Sequence, residues 1–434
     1  MTQSGSPSER STRSRYTQLG VLILAGGAIY PLIYLRQNFE VSILESFGIS
    51  ITQLGQCYAL LGVIFVITYV PSGWLADRVS PRWLLSFSLA LTGVLGLLFS
   101  TLPSFQVLLM IFAGWGIATG LTFWAALIKG VAVLAKHNEQ GRFFGILDGG
   151  RGLVEALLAT IAVAWFAHSL ETLGQSTSIA LQKIIYLYVG FAFLLSPIVW
   201  FAIDDIRDDS SSGQGDSSTG TLWDDLKTLL SKTELWLAAF CILCGYQLFW
   251  ATYSFSGYLQ RSYGLTAVAV GSITVAKLWM RPIGAIAAGF VGDRFHLEKI
   301  LAGLLVAGSA ALAALIILPL TVSAGLLLAV VLLVGLLTYA IRGIFWGTLD
   351  SCNIPARIKG LAIGVISLIG YSPDIYLPLI NGAVLERFPG KTGYSIYFGG
   401  IVLMGFLGAV SAWRLHIIVS ARSTSAHNSP ISQR

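Results

Sequence analysis

The chain has 434 residues, of which 55% are apolar and only 11% charged. A water-soluble domain of that size could not hold such a balance, because too few charged side chains remain to cover its surface. The net charge of +6 would suit nucleic acid in a soluble protein, but the basic residues stand scattered between hydrophobic runs, so no nucleic-acid partner is expected.

Runs of about 20 apolar residues, the length that crosses a bilayer core, recur along the chain. Residues 1–17 form a polar tail with Arg10, Arg13 and Arg15; the apolar run that follows is too long for the core of a signal peptide and is predicted as the first membrane helix. Six spans are predicted over 18–40, 52–75, 83–102, 105–130, 143–168 and 183–203. Six more follow over 235–259, 267–291, 299–319, 324–349, 359–384 and 393–414. The fold class is therefore an all-α membrane protein, with bundles over 18–203 and 235–414, a linker over 204–234 and a tail over 415–434. The linker opens with Asp204, Asp205, Asp208 and Asp209, continues Ser/Gly-rich, and cannot bury a core. It ends in a short amphipathic piece over 223–230.

Lysine and arginine placement sets the orientation. One set of loops carries Arg78, Arg82, Lys136, Arg142, Arg207, Lys227, Lys232, Arg294, Lys299, Arg357 and Lys359, the other only Lys183, Arg261, Arg387 and Lys391. A multi-pass plasma-membrane protein with both termini cytoplasmic is expected.

Inside the spans remain Arg36, Lys129, Arg151, Lys277, Arg281 and Arg342. Each would cost about 2.5–3.5 kcal/mol facing lipid at a helix centre, so each should face a polar interior, pair with an acid or reach an interface. Lys129 and Arg342 lie near span ends, where they can snorkel. Intramembrane acids are fewer: Glu155 and Asp374, with Asp148, Glu40 and Glu45 nearer the ends. Lys277 and Arg281 are one turn apart on one side of span 8. Asp374 follows Pro373, where the helix should kink, and can pair with Lys277 or Arg281. Arg151 can pair with Glu155 or Asp148, as a structural bridge or a functional one. The interior is short of negative charge, which an anionic substrate would supply.

Tyr246, Trp250 and Tyr253 share one face of span 7. Such a stripe packs against a neighbour or stacks on an organic body, with Gln247 and Thr252 offering hydrogen bonds. Cys241 and Cys244 lie in an apolar helix and read as packing residues rather than a redox or metal pair. Gly390-Lys391-Thr392 lacks the glycine of a nucleotide loop, Leu385 standing in its place. His137, His168, His296, His416 and His427 scatter near loops and tails and form no metal set. No cofactor, metal or enzymatic constellation is predicted.

The polar turn Gly73-Trp74-Leu75-Ala76-Asp77-Arg78-Val79-Ser80-Pro81-Arg82 returns, weakened, half a chain length on as Gly289-Phe290-Val291-Gly292-Asp293-Arg294. Phe123-Trp124 is likewise echoed by Phe345-Trp346, and Gly141 and Gly145 by Gly360 and Gly364. The first turn resembles the loop 2–3 signature of the major facilitator superfamily, the second its loop 8–9. That resemblance implies two pseudo-symmetric six-helix bundles with a substrate site between them near mid-membrane. It also implies close helix crossings at Gly73 and Gly289, and a cytoplasmic gate locked by Asp77, Arg78 and Arg82, echoed by Asp293 and Arg294. Ser80 stands where that family usually has glycine.

The stretch from Tyr30 through Tyr34 and Arg36 to Phe39 resembles the span 1 pattern of the organophosphate:phosphate antiporters, which carries a phosphate-binding role over to Arg36. Their second arginine, in span 7, has no counterpart, so Lys277 or Arg281 would substitute from the adjoining span. Residues 143–152 and Gly370-Tyr371-Ser372-Pro373-Asp374 resemble a bacterial branch, the YihN/YqcE-like inner-membrane proteins.

These readings converge on a monomeric secondary transporter of the bacterial inner membrane. It would move a small organic anion, such as an organophosphate or a sugar acid, by alternating access, as a symporter or an antiporter. A proton, sodium or a counter-anion would drive it. Arg36 and Tyr34 would hold the anion from one half, and Lys277, Arg281 and the Tyr246/Trp250/Tyr253 stripe from the other. Asp374, Arg151 and Glu155 would serve coupling. The rivals are a proton-coupled exporter of amphipathic compounds and a non-transporting membrane sensor on the same scaffold.

Overall fold

In a bilayer every backbone amide must find its partner within the chain, which long apolar runs achieve by coiling into helices. The computed structural model describes residues 12–135, 140–204, 222–354 and 358–427, and every element in them is helical. Residues 1–11, 205–221 and 428–434, which hold most of the expected tails and linker, lie outside the described residues, as do the side chains of Asp77 and Asp293. Eleven of the helical segments are long and apolar enough to cross a membrane, from Ser14–Phe47 to Lys391–Arg422. The remaining expected span, the eighth, is split at Trp279 into Ala267–Leu278 and Met280–Arg294.

Local chemistry sets several ends. Ser176, Thr266 and Ser323 open spans 6, 8 and 10 by accepting the N–H of Ile179, Ala269 and Leu326 at 3.4, 3.2 and 3.4 Å. Gly264, at φ +66°, closes span 7 in the left-handed conformation that other residues avoid. The amphipathic piece expected over 223–230 is the helix Leu222–Leu230.

Packing divides the chain into two compact units. One comprises Met1–Leu35 and Ile67–Gln214, the other Arg36–Val66 and Gly215–Arg434. The first is cored by Trp115, whose ring lies 5.2 Å from both Phe99 and Phe112 and whose Nε1 donates to the Thr92 carbonyl at 3.3 Å. In the second, the buried rings of Tyr258, Tyr394 and Phe398 meet at 5.3–5.8 Å.

The repeat seen in the sequence is matched by a shared irregularity. Span 4 passes through a π-helical turn at Ile117–Leu121 and resumes at Trp124, while span 10 ends in a 3-10 turn at Phe345–Gly347. Each tryptophan then meets the following span. The Arg151 guanidinium carbon lies 5.1 Å from the Trp124 ring centre, and Trp346 Nε1 donates to the Tyr371 hydroxyl at 2.9 Å.

Candidate transport site

Within the second unit, helices are interrupted where polar side chains are buried, an arrangement that bilayers tolerate only where protein or water covers the freed backbone. Phe39 departs from helical geometry in span 1, Thr252–Ser254 form a 3-10 turn in span 7, and span 8 breaks at Trp279. Span 11 breaks before Pro373, as its proline predicts.

Arg36 and Glu40, one turn apart, form a buried ion pair with Nη2 and Oε2 at 2.5 Å and exposures of 1% and 0%. The Arg36 guanidinium carbon also lies 5.1 Å from the Tyr58 ring centre. Tyr394 donates its hydroxyl to Glu40 Oε1 at 3.3 Å. Gly257 lines the same pair: any Cβ there would strike the Glu40 carboxylate. Arg36 Nε is buried and makes no hydrogen bond among the described residues.

Asp374, which by its sequence position could pair with Lys277 or Arg281, accepts at Oδ1 from Trp250 Nε1 at 2.5 Å and the Tyr246 hydroxyl at 2.8 Å. Two members of the aromatic stripe therefore bind a carboxylate of their own chain. The third, Tyr253, lies 5.0 Å from Trp250. Tyr58 meets Trp250 edge-on at 6.3 Å, so contacts run from Glu40 through Arg36, Tyr58 and Trp250 to Asp374. Gly62 permits the approach, since a Cβ there would sit 2.8 Å from the Asp374 carbonyl carbon and oxygen.

Lys277 is wholly buried and donates from Nζ to the Thr252 carbonyl at 3.4 Å, a group of the 3-10 turn. Its helix, Ala267–Leu278, packs on Arg36–Phe47. Arg281 is also buried, but the break at Trp279 puts it on a different helix from Lys277, so the two do not share one regular face. The expectation that Arg36 faces them from the other half also fails: all three belong to the second unit. Chain connectivity suggested otherwise, yet the end of span 1 packs with spans 7 and 8. Arg342 lies over Phe249 at 4.3 Å. Further polar atoms in this unit, Asn38 Oδ1, Thr252 Oγ1, Ser256 Oγ and Asn381 Oδ1, are buried without a hydrogen-bond partner among the described residues. Asn381 Nδ2 donates to Ser254 Oγ at 3.2 Å.

In the first unit Arg151 donates from Nε to the Gly26 carbonyl at 3.1 Å and lies 5.6 Å from the Tyr30 ring centre, with Tyr34 a further 6.4 Å from Tyr30. Glu155 is half-buried one turn along the same helix. Lys129 donates to the Ala76 carbonyl at 2.9 Å.

Arg78 is exposed and stacks on Trp74 at 4.1 Å; Arg82 lies 5.0 Å over Trp200; Arg294 is exposed at its helix end. A Cβ at Gly73 or Gly289 would meet nothing within 4 Å, so the close crossings expected there are not formed. They occur instead at Gly55 and Gly62, against Pro378 and Asp374 of span 11. Cys241 and Cys244 are free and buried against Gly408 of span 12, as packing residues would be.

Sequence reasoning missed Tyr58, Ser256 and Asn381, which no motif marks. The pairing of Arg36 with Glu40 was visible as an i,i+4 spacing. The histidines are less scattered than they looked, because the rings of His296 and His416 lie 5.0 Å apart, tilted by 54°.

A family model described as Major Facilitator Superfamily matches residues 22–378. Inner membrane protein YihN of Escherichia coli strain K12 is 28% identical over 95% of this chain and 97% of its own length; inner membrane protein YqcE of the same strain is 28% identical over 92% and 94%. The D-galactonate transporter of Escherichia coli O6:H1 is 21% identical over 86% of this chain and 90% of its own. Among solved structures, the nucleoside transporter NupG matches with a TM-score of 0.70 over 92% of this chain and 99% of its own, at 12–13% identity in a mutant and an unmutated form whose scores are 0.70 and 0.69. That likeness concerns the fold.

Proposed function

This chain belongs to the Major Facilitator Superfamily, and from that premise we propose that it is a secondary active transporter of a sugar acid or a chemically similar small organic anion. Family membership makes it a multi-pass membrane transporter rather than an enzyme. The substrate class rests on Arg36. One edge of its buried guanidinium is held by Glu40, while Nε has no hydrogen-bond partner among the described residues. A buried donor left unmatched costs about 1–3 kcal/mol, which an anionic oxygen would relieve. Thr252 Oγ1, Ser256 Oγ and Asn381 Oδ1 add unmatched hydroxyl and amide oxygens in the same unit. A polyhydroxy carboxylate supplies both the charge and the hydroxyl donors that such a set takes. An organophosphate matches Arg36 in charge, but the arginine of span 7, Arg261, is exposed in its last turn; a D-galactonate transporter is matched over 90% of its length, a glycerol-3-phosphate transporter over only 41%.

Asp374, held by Trp250 and Tyr246, is the coupling group of this proposal, taking up and releasing a proton or a sodium ion as access alternates. Substrate and ion act only through different affinities for the two access states. We place the protein as a monomer in a bacterial inner membrane with both termini cytoplasmic, as its loop lysines and arginines favour.

Counterflow in proteoliposomes with labelled sugar acids and sugar phosphates tests the reading. Wild type should exchange a sugar acid, and Arg36→Ala and Asn381→Ala should each lower that exchange at least tenfold. Asp374→Asn should keep exchange and lose accumulation against a gradient. Undiminished exchange in both Arg36→Ala and Asn381→Ala, or exchange confined to sugar phosphates, refutes the assignment. Binding of a sugar acid without flux would favour a sensor.

A further inference from the structure

His296 and Glu298, two residues apart, meet the distant His416 in the second unit and bring two imidazoles and a carboxylate together outside the transport site. One ligand atom from each lies within 4.8 Å of the other two. We propose that they form a site for a divalent transition-metal ion of the Zn2+ class.

The helix starts and packing explain how the three meet. His296 is the residue before the helix Leu297–Ile317, and Glu298 stands in its first turn, where a carboxylate is favoured by the helix dipole. His416 lies on the long helix Lys391–His427, which packs along Leu297–Ile317. Its neighbour Leu415 is buried with Ala238 and Cys352, fixing the register that turns His416 toward His296.

The surroundings hold two of the three ligands in place, as outer partners do in metal centres. Ser351 donates its hydroxyl to Glu298 Oε1, on a carboxylate that is only 5% exposed. Ser420 Oγ lies 3.4 Å from His416 Nδ1; when that nitrogen carries the proton, Nε2 presents its lone pair. His296 is exposed and completes the set from the surface side. A tetrahedral ion bound at about 2.0–2.2 Å keeps its ligand atoms about 3.4 Å apart, so closure asks for a side-chain adjustment within the reach of an exposed histidine. Two imidazoles with one carboxylate leave a fourth position open and suit Zn2+, Co2+ or Ni2+ better than Mg2+ or Ca2+, which prefer all-oxygen sites. A bound ion would tie the loop that follows Arg294 to span 12.

The test uses full-length, tag-free protein, stripped with chelator and titrated with Co2+ and then Zn2+. Wild type should take up one equivalent of Co2+ with the visible absorption of tetrahedral coordination, and Zn2+ should displace it. His416→Ala and the exposed His296→Ala should each weaken uptake by at least the roughly 10–100-fold seen for loss of an outer partner, and Ser420→Ala by about tenfold. His168→Ala, in another part of the chain, should change nothing. Stoichiometric uptake that persists in a folded His296→Ala/His416→Ala double variant overturns the proposal, as does wild type that takes up no ion.

Discussion

Stripping a guanidinium and a carboxylate of water costs several kcal/mol for each ion, and Arg36 and Glu40 recover it through their contact and through the Tyr58 ring and Tyr394 hydroxyl around them. Removing one partner should then be worse than removing both. Glu40→Ala is expected to destabilise the protein by about 3–5 kcal/mol, because it leaves Arg36 charged in an apolar interior. The double change Arg36→Met/Glu40→Leu, which removes both charges at similar volume, should cost markedly less. Thermal unfolding of the detergent-purified variants measures both, and a double variant weaker than Glu40→Ala would show that the pair is a net stabiliser. The same comparison separates stability from transport, since the double variant should fold and yet fail to exchange substrate. At this scale the sequence was half legible. The cost of buried charge pointed to Arg36, Lys277, Arg281 and Asp374, all of which are buried. The i,i+4 spacing offered Glu40 to Arg36, but the partners of Asp374 and Lys277 were not legible, because Trp250 reaches Asp374 and Lys277 reaches Thr252 across spans that no local pattern joins.

Helices that cross closely need small residues at the crossing, so the position of a crossing can be read from what a methyl group would hit. Gly62 meets the Asp374 backbone and Gly55 meets Pro378, whereas Gly73 and Gly289 face open space. Gly62→Ala should therefore lower stability by about 1–3 kcal/mol as span 11 is pushed aside. Gly73→Ala and Gly289→Ala should be neutral or stabilising by up to about 1 kcal/mol, since alanine is the better helix former. Equal losses from all three would refute this division. Loss of transport with stability kept at Gly73 or Gly289 would instead assign them a crossing made in another access state. Motif resemblance led to the opposite ranking of these glycines, because a loop signature carries a family role and not the state in which the role is exercised. Helix interruptions divide in the same way. Pro373 announced the break in span 11, and Pro282, which cannot bond the Leu278 carbonyl, accounts for the one at Trp279, while the distortions at Phe39 and Thr252–Ser254 have no residue that forces them.

Over the whole molecule, the constraint of the bilayer acts on composition and is legible at long range; segment membership is not. Span count and the internal repeat follow from apolar run lengths and from Phe123-Trp124 against Phe345-Trp346. The assignment of 36–66 to the second unit depends on packing made after the spans are in place, with Gly257 admitting Glu40 and Gly382 admitting Thr52. Orientation belongs to the first kind, since each loop lysine or arginine that must cross adds its own cost and the sum decides. The native cysteines at 57, 241, 244 and 352 are all buried, so a membrane-impermeant maleimide should leave wild type nearly unlabelled. Arg387 and Lys227 are both exposed and lie on opposite faces in the proposed topology. Arg387→Cys should label in intact cells, and Lys227→Cys only after the membrane is opened. The reverse pattern would invert the topology and turn the Gly289–Arg294 loop outward, removing the cytoplasmic gate while leaving the Arg36 site unaffected.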